Sequence, residues 1–147
     1  MFTLRAARHG DELALEDFFR DFKDNPYFQP HPWDYGQASK ICVDKGEDVY
    51  LVLVSRDDVM AYGMLRGWTE GWKIPSLGIA VRMAFRRRGF ARLMLEALHV
   101  CARTRQAPAI RLRVHPDNMS AKRLYTSMGY EYQEMERGEE LYLLHLR

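Results

Sequence analysis

The stretch from Ser76 to Val114 constrains this chain most. Ser76 to Val81 is an apolar strand that runs into a basic turn and then small residues. From Phe90 to Arg103, Leu93, Met94, Ala97, Leu98 and Cys101 recur at helical spacing, and Ala109 to Val114 then alternates as a strand. Gly78, inside the first strand, marks a bulge or the close approach of a ligand or backbone. At a helix start, about four backbone N–H groups lack intrahelical partners, and the helix dipole adds positive charge. Small residues at Gly89 and Ala91 let an anion come near the backbone, and Arg86, Arg87 and Arg88 add a local positive field. These features suit an anion cradle. They suit equally a solvated basic turn in which Gly89 eases a bend. Neither a GxGxxG fingerprint nor a GKS/GKT phosphate loop occurs.

The remaining elements fall around this unit. Phe2 to Arg5 reads as a first strand. Asp11 can cap a helix with Leu13, Leu15, Phe18, Phe19 and Phe22 on its apolar face. That stripe is the ordinary mark of a core-facing helix. Pro26, Pro30 and Pro32 break the chain, and Asp34 or Ser39 opens a second helix towards Lys45. Val49–Val54 and Val59–Arg66 form a hairpin about Asp57-Asp58. Asn118 or Ser120 caps a helix ended by Gly129. Two closing strands, near Tyr130–Glu136 and Leu141–Leu146, flank a Gly138 turn. Helices inserted between strands, with hairpins at both ends, predict a single α/β (α+β) domain over residues 1–147.

Composition removes several alternatives. Of 147 residues, 47% are hydrophobic and 29% charged, the balance of a globular domain. At this size a domain buries roughly 68–70% of its unfolded surface, so its core needs no staple. A net charge of +2 gives no bulk case for nucleic acid or an acidic membrane. No apolar run approaches the ~18 residues of a membrane span, and no signal-peptide run opens the chain. Cys42 and Cys101 stand far apart and no Cys/His cluster supplies the ligands of a metal site, so reduced thiols and a cytoplasmic setting are expected. The small total hides a cluster, Arg82, Arg86, Arg87, Arg88 and Arg92, about one helix start.

Two loops offer polar groups beside aromatics. Glu70 sits between Trp68 and Trp72 in Arg66-Gly67-Trp68-Thr69-Glu70-Gly71-Trp72. A carboxylate beside aromatic walls can have its pKa raised, or pair with a cationic amine helped by the indoles. It reads equally as a hairpin glutamate facing water. His31 lies between Pro30 and Pro32, near Trp33 and Asp34, and titrates near neutrality if exposed. His115 closes a strand one residue before Pro116 and reads as bonded to backbone.

Two motifs carry a family resemblance. Arg86-x-x-Gly89-x-Ala91 is similar to the R/Q-x-x-G-x-G/A pattern of GCN5-related N-acetyltransferases (GNAT). The stretch from Val114 to Tyr130, with Asn118, Ala121, Leu124-Tyr125 and Gly129-Tyr130, resembles the second family signature. The resemblance implies a mixed, mostly antiparallel sheet of about seven strands flanked by about four helices, with splayed central strands. It implies that Ile79, Ala80 and Val81 pair with the pantetheine arm of acetyl-CoA. Arg86, Arg87, Arg88, Gly89, Phe90 and Ala91 would hold the pyrophosphate, and Asn118 would contact the cosubstrate. Tyr125 would act as general acid at the CoA sulfur. Many relatives carry a Glu near the position of Leu77-Gly78, and this chain does not. The general base is therefore open among Glu70, His31, Asp34 and a water relay.

The resemblance also places the loop between the first two helices over the acceptor. His31, Trp33, Trp68, Glu70 and Trp72 thus become expected acceptor contacts. Pro-His-Pro-Trp-Asp and Leu-Arg-Gly-Trp-x-Glu-Gly look like features of a small-molecule branch. The expected reaction is acetyl transfer to the primary amine of an amino sugar, amino acid or polyamine. Protein N-terminal or lysine acetylation is the alternative, and a non-catalytic acyl-CoA-binding regulatory module the second. Family members often dimerise through their last strands. Leu141 to Leu146 is partly apolar on both faces and permits a dimer edge. No room is expected for a separate acceptor domain.

Overall fold

The computed structural model describes residues 1–44 and 46–146. Seven strands, β1 (Thr3–Ala6), β2 (Val49–Ser55), β3 (Asp58–Arg66), β4 (Ser76–Val81), β5 (Ala109–Val114), β6 (Glu131–Glu136) and β7 (Glu139–His145), form one sheet. Its order is β1-β2-β3-β4-β5-β7-β6. Helices α1 (Glu12–Arg20), α2 (Tyr35–Val43), α3 (Phe90–Thr104) and α4 (Met119–Ser127) flank it. Every neighbouring strand pair is antiparallel except β4–β5. The expected end of α2 at Lys45 lies outside the described residues. No helix among the described residues is long and apolar enough to cross a membrane.

Strand alternation sorts the core into two clusters, one per sheet face. Leu77 and Val81 of β4 join Ile110, Leu112 and Val114 of β5 and Met94, Leu95 and Leu98 of α3. Ala80 of β4 instead joins Tyr62 and Met64 of β3, with Phe18, Phe19, Trp33 and Ile41 from the α1–α2 side. The phenylalanine stripe of α1 is thus core, except that Leu13 is 72% exposed. Gly63 makes the first face possible. A Cβ there would lie 2.7 Å from the Met94 side chain, so α3 packs directly on β3 backbone.

Three expectations change at this level. Asp34 caps α2 as expected, accepting from Gln37 N–H at 2.8 Å. Asp11 does not cap α1 with its side chain. Its carboxylate instead takes both guanidinium nitrogens of Arg5, at 2.7 and 2.8 Å, and the Arg8 N–H at 2.9 Å. This ties β1 to the start of α1. A 3-10 turn, Met83–Phe85, also follows β4, where only a turn was expected. Finally, β7 is not an edge. It lies between β5 and β6 because the closing hairpin folds back and leaves β6 outermost.

The Arg5–Asp11 pair sets a pH-dependent contribution to stability. The Arg5 hydrogen bond holds the Asp11 carboxyl below its ordinary value, while burial opposes the shift. A carboxyl lowered in the folded state stabilises above its unfolded pKa of about 3.9, and that contribution is lost as pH falls through the folded value. Asp11→Asn should cost about 1–3 kcal/mol at pH 7. In urea unfolding followed from pH 7 down to 2, the gap between variant and parent should close below about pH 4.

Candidate active site at the splayed strands

β4 and β5 touch in register at one pair, Ser76 with Arg111. Arg111 N–H donates to Pro75 O at 3.0 Å, and beyond that point the strands diverge. An antiparallel ladder turns alternate residues towards one neighbour. Arg82 N–H donates to Met60 O, and Ala80 and Gly78 share its parity, so their backbone faces β3. Ile79 and Val81 therefore turn their backbone groups into the wedge, where Val81 O accepts from Arg86 Nε at 3.0 Å. Of the three strand residues expected to pair with a pantetheine arm, Ile79 has its backbone turned to the wedge and Val81 its N–H, the Val81 carbonyl being taken by Arg86. Ala80 gives its backbone to β3 and its side chain to the α1–α2 face.

The turn after β4 forms a row of free donors. Phe85 and Arg86 N–H groups bond back to Arg82 O and Met83 O. Arg87 then takes φ +63° and Gly89 φ +85°, both left-handed. Leu93 is the first α3 amide with a partner, Gly89 O at 3.0 Å. The N–H groups of residues 87 to 92 have no backbone partner among the described residues. A Cβ on Gly89 would meet nothing within 4 Å, so the space before this row is open. Backbone nests of this kind at a helix start attract anions. Arg86, Arg87 and Arg88 are exposed beside it. Arg82 is not available: Asp17 at 2.7 Å and Asp21 at 3.1 Å pin it to α1 and its C-terminal flank. Arg92 turns to Ser127 at the end of α4.

The α4 side supplies Asn118 and Tyr125. Asn118 Oδ1 caps α4 by accepting from Ala121 N–H at 3.3 Å. Tyr125 is 8% exposed, in the cluster that holds Val81 and Val114 at the wedge walls. Burial alone pushes its phenol well above the ordinary range, so the proton stays on at neutral pH.

Across the sheet, a polar cavity of about 100 Å³ opens on the wedge. Phe28, Gln29 and Pro30 of the α1–α2 loop roof it, Met64 and Arg66 of β3 and Ser76, Leu77 and Gly78 of β4 form its floor, and Arg113 and Glu139 stand on the β5–β7 side. Phe28 lies so close to β4 that a Cβ on Gly78 would come within 2.8 Å of its ring. The roof also touches the far side of the wedge, because the Tyr27 ring packs tilted against His115, the residue after β5, with centroids 4.9 Å apart. His115 Nδ1 accepts from Asp117 N–H at 3.1 Å, the backbone bond expected of it.

The expected acceptor residues do not come together here. His31 sits in an aromatic cluster with Phe19, Trp33 and Tyr62. Its Nδ1 lies 2.8 Å from Pro32 O, a carbonyl that can only accept, so Nδ1 carries the proton. Nε2 then accepts from Tyr62 O–H at 3.0 Å. Desolvation pushes its pKa down to about 4, leaving a neutral ring with both nitrogens engaged. Trp33 is 4% exposed in the same cluster. Trp68 packs towards α3 with the Arg105 guanidinium 4.5 Å over its ring. Trp72 lines a separate groove of about 420 Å³ with Arg111, Leu141 and Leu143. Glu70 is exposed in the turn between the two indoles, whose rings go to different places. It lines neither cavity and lacks the aromatic walls its neighbours in sequence suggested. Asp34 is occupied as the α2 cap. The polar groups that do meet at the wedge, Arg66, Arg113, Ser76 and Glu139, carried no signal as separate positions. Only the strand order brings them together.

The sequence matches a family model described as the acetyltransferase (GNAT) family over residues 11–130. Solved structures share the fold at low identity. The GNAT domain of S. lividans PAT is 18% identical, with a TM-score of 0.83 over 97% of this chain and 89% of that one. The ribosomal-protein-S18-alanine N-acetyltransferase from Escherichia coli is 20% identical, with a TM-score of 0.74 over 97% and 91%. The PaiA N-acetyltransferase from Thermoplasma acidophilum, in complex with coenzyme A, is 10% identical, with a TM-score of 0.81 over 99% of each chain.

The donor row makes a prediction about Gly89. Its φ of +85° suits glycine and strains a β-branched residue. Gly89→Val should weaken coenzyme A binding by about tenfold or more, an energy of about 1.4 kcal/mol, in isothermal titration.

Proposed function

This chain belongs to the acetyltransferase (GNAT) family, and from that membership we propose that it transfers acetyl from acetyl-CoA to the primary amine of a small molecule. The roofed cavity of about 100 Å³ at the strand wedge carries this reading. An extended polypeptide acceptor needs an open trough, whereas here Phe28 and Pro30 cover the floor and the Tyr27–His115 contact fastens the cover.

Acetyl-CoA supplies the activated acetyl group as a thioester. The free amides of residues 87 to 92, with Arg86, Arg87 and Arg88, take the pyrophosphate, and Ile79 and Val81 hold the pantetheine arm through backbone. The amine enters from the cavity side as an ammonium. Glu139, the carboxylate on the cavity wall, accepts its proton directly or through a water. The neutral nitrogen then forms the amide bond as the carbon–sulfur bond breaks. Tyr125, kept protonated by burial, gives its proton to the departing thiolate and is reprotonated, through water, by the second proton that the nitrogen sheds as it becomes an amide, while Glu139 releases the first to solvent. Backbone N–H groups at the β4 edge stabilise negative charge on the carbonyl oxygen. In this scheme Glu139 takes the place that the sequence left open among Glu70, His31, Asp34 and a water relay.

Acetyl-CoA should raise the unfolding midpoint, and free CoA should appear with an amine panel but not with peptides alone. No midpoint shift at millimolar acetyl-CoA, or turnover with peptides only, would overturn the proposal. Tyr125→Phe should cut kcat more than acetyl-CoA affinity, and Glu139→Gln should lower kcat about 10²–10⁴-fold. An unchanged kcat in either variant removes that residue from its role.

A further inference from the structure

The charges facing the cavity narrow the acceptor further. Arg66 on β3 and Arg113 on β5 flank the β4 floor, with Glu139 the carboxylate on the same wall. Among the described residues, neither guanidinium is neutralised at close range. Arg66 donates to Pro30 O at 3.0 Å, an uncharged partner. Arg113 has its carboxylate neighbour, Glu136, only at 3.9 Å, while Arg111 takes the same Glu136 oxygen at 2.6 Å. Alternation along β5 points Arg111 and Arg113 to one face, and Glu136 is shared unequally between them in favour of Arg111. Two guanidiniums and one carboxylate thus surround a small, partly closed space, an excess of positive charge.

We infer that the acceptor is a primary amine that also carries an acidic group, as an α-amino acid does, with Arg66 and Arg113 binding the acid and Glu139 the ammonium. This deepens the small-molecule reading and rests on it. A polyamine would add positive charge where two guanidiniums already lack close partners, and like charges a few ångströms apart repel strongly in a partly enclosed site. An uncharged amino sugar would leave both guanidiniums unanswered. A planar guanidinium matches the two oxygens of a carboxylate, and it matches a phosphate equally well. The shared requirement is an anion on the same small molecule as the amine.

The test uses matched acceptors with the full-length protein. CoA release is measured with L-serine, ethanolamine, O-phosphoethanolamine, glucosamine and spermidine. Serine and ethanolamine differ by the carboxylate alone, and O-phosphoethanolamine instead carries a phosphate ester on the ethanolamine hydroxyl. An acid-bearing acceptor should exceed ethanolamine in kcat/KM by about tenfold or more. The preferred member tells a carboxylate from a phosphate. In Arg66→Met and Arg113→Met, that preference ratio should fall about tenfold, mainly through KM, and Arg113→Lys should restore part of it. The acetyl-CoA shift in unfolding midpoint verifies that each variant is folded and loaded. Equal kcat/KM for ethanolamine and its acidic partners, or a preference for spermidine or glucosamine, overturns the inference and leaves acetyl transfer standing. Acetyl-CoA binding without turnover on any amine overturns the proposed small-molecule activity, and the inference falls with it.

Discussion

The wedge at the centre of the sheet depends on how little β4 and β5 touch. In a sheet whose other neighbours pair over four to seven positions, these two share one register pair. The ladder that would have consumed the backbone groups of Ile79 and Val81 is absent. A buried strand edge is costly when its N–H and C=O groups go unanswered. That cost makes the wedge a binding site for anything that can act as a missing strand. The parallel geometry requires a crossover, and α3 supplies it. The same connection therefore places a helix start, with its unpartnered amides, at the open end of the wedge.

The sheet divides the chemistry between its faces. Tyr125 is buried on the α3–α4 side, in the same cluster as aliphatic side chains of both splayed strands. Arg66, Arg113 and Glu139 approach from the α1–α2 side. On the proposed roles, the proton acceptor Glu139 and the proton donor Tyr125 stand on opposite faces of the sheet and are kept from neutralising one another. The α1–α2 loop completes the second side. Phe28 lies on the Gly78 position, and the neighbouring Tyr27 crosses to His115, just after the far strand. Gly78 stands near the place where the family resemblance led one to look for a glutamate. Here the space of a side chain is given to the roof, and the carboxylate that lines the cavity, Glu139, stands on β7.

Most elements were legible because their signals are local. The periodicity of α3, the alternation of β4 and β5 and the caps Asp34 and Asn118 operate within a few residues. The misreadings have one physical origin, competition from partners distant in sequence. Asp11 has the chemistry of a helix cap, but Arg5 offers it a bidentate charged partner. Arg82 belongs to the basic run, but Asp17 and Asp21 claim it. His31 stood in a loop that looked open, yet Tyr62 on β3 receives its free nitrogen. Glu70 lay between two tryptophans in sequence, whereas a tight turn sends the indoles apart. Glu139 and Arg113 were invisible for a related reason. Their meeting depends on β7 inserting between β5 and β6, which no local pattern encodes.

The two hydrophobic clusters have a consequence for how such a chain can diverge. The unpartnered amides at the start of α3 belong to the face built on that helix, while the walls of the polar cavity belong to the other face and its roof. The sheet is the shared partition. Substitutions at positions 28 to 30, 66, 113 or 139 alter one chamber without repacking Leu95 or Leu98 in the other. On the proposed reading, a lineage can therefore exchange one acceptor for another while the α3 start stays under unbroken selection. The fold behaves as a fixed handle carrying an exchangeable bit, and specificity can drift at little risk to folding.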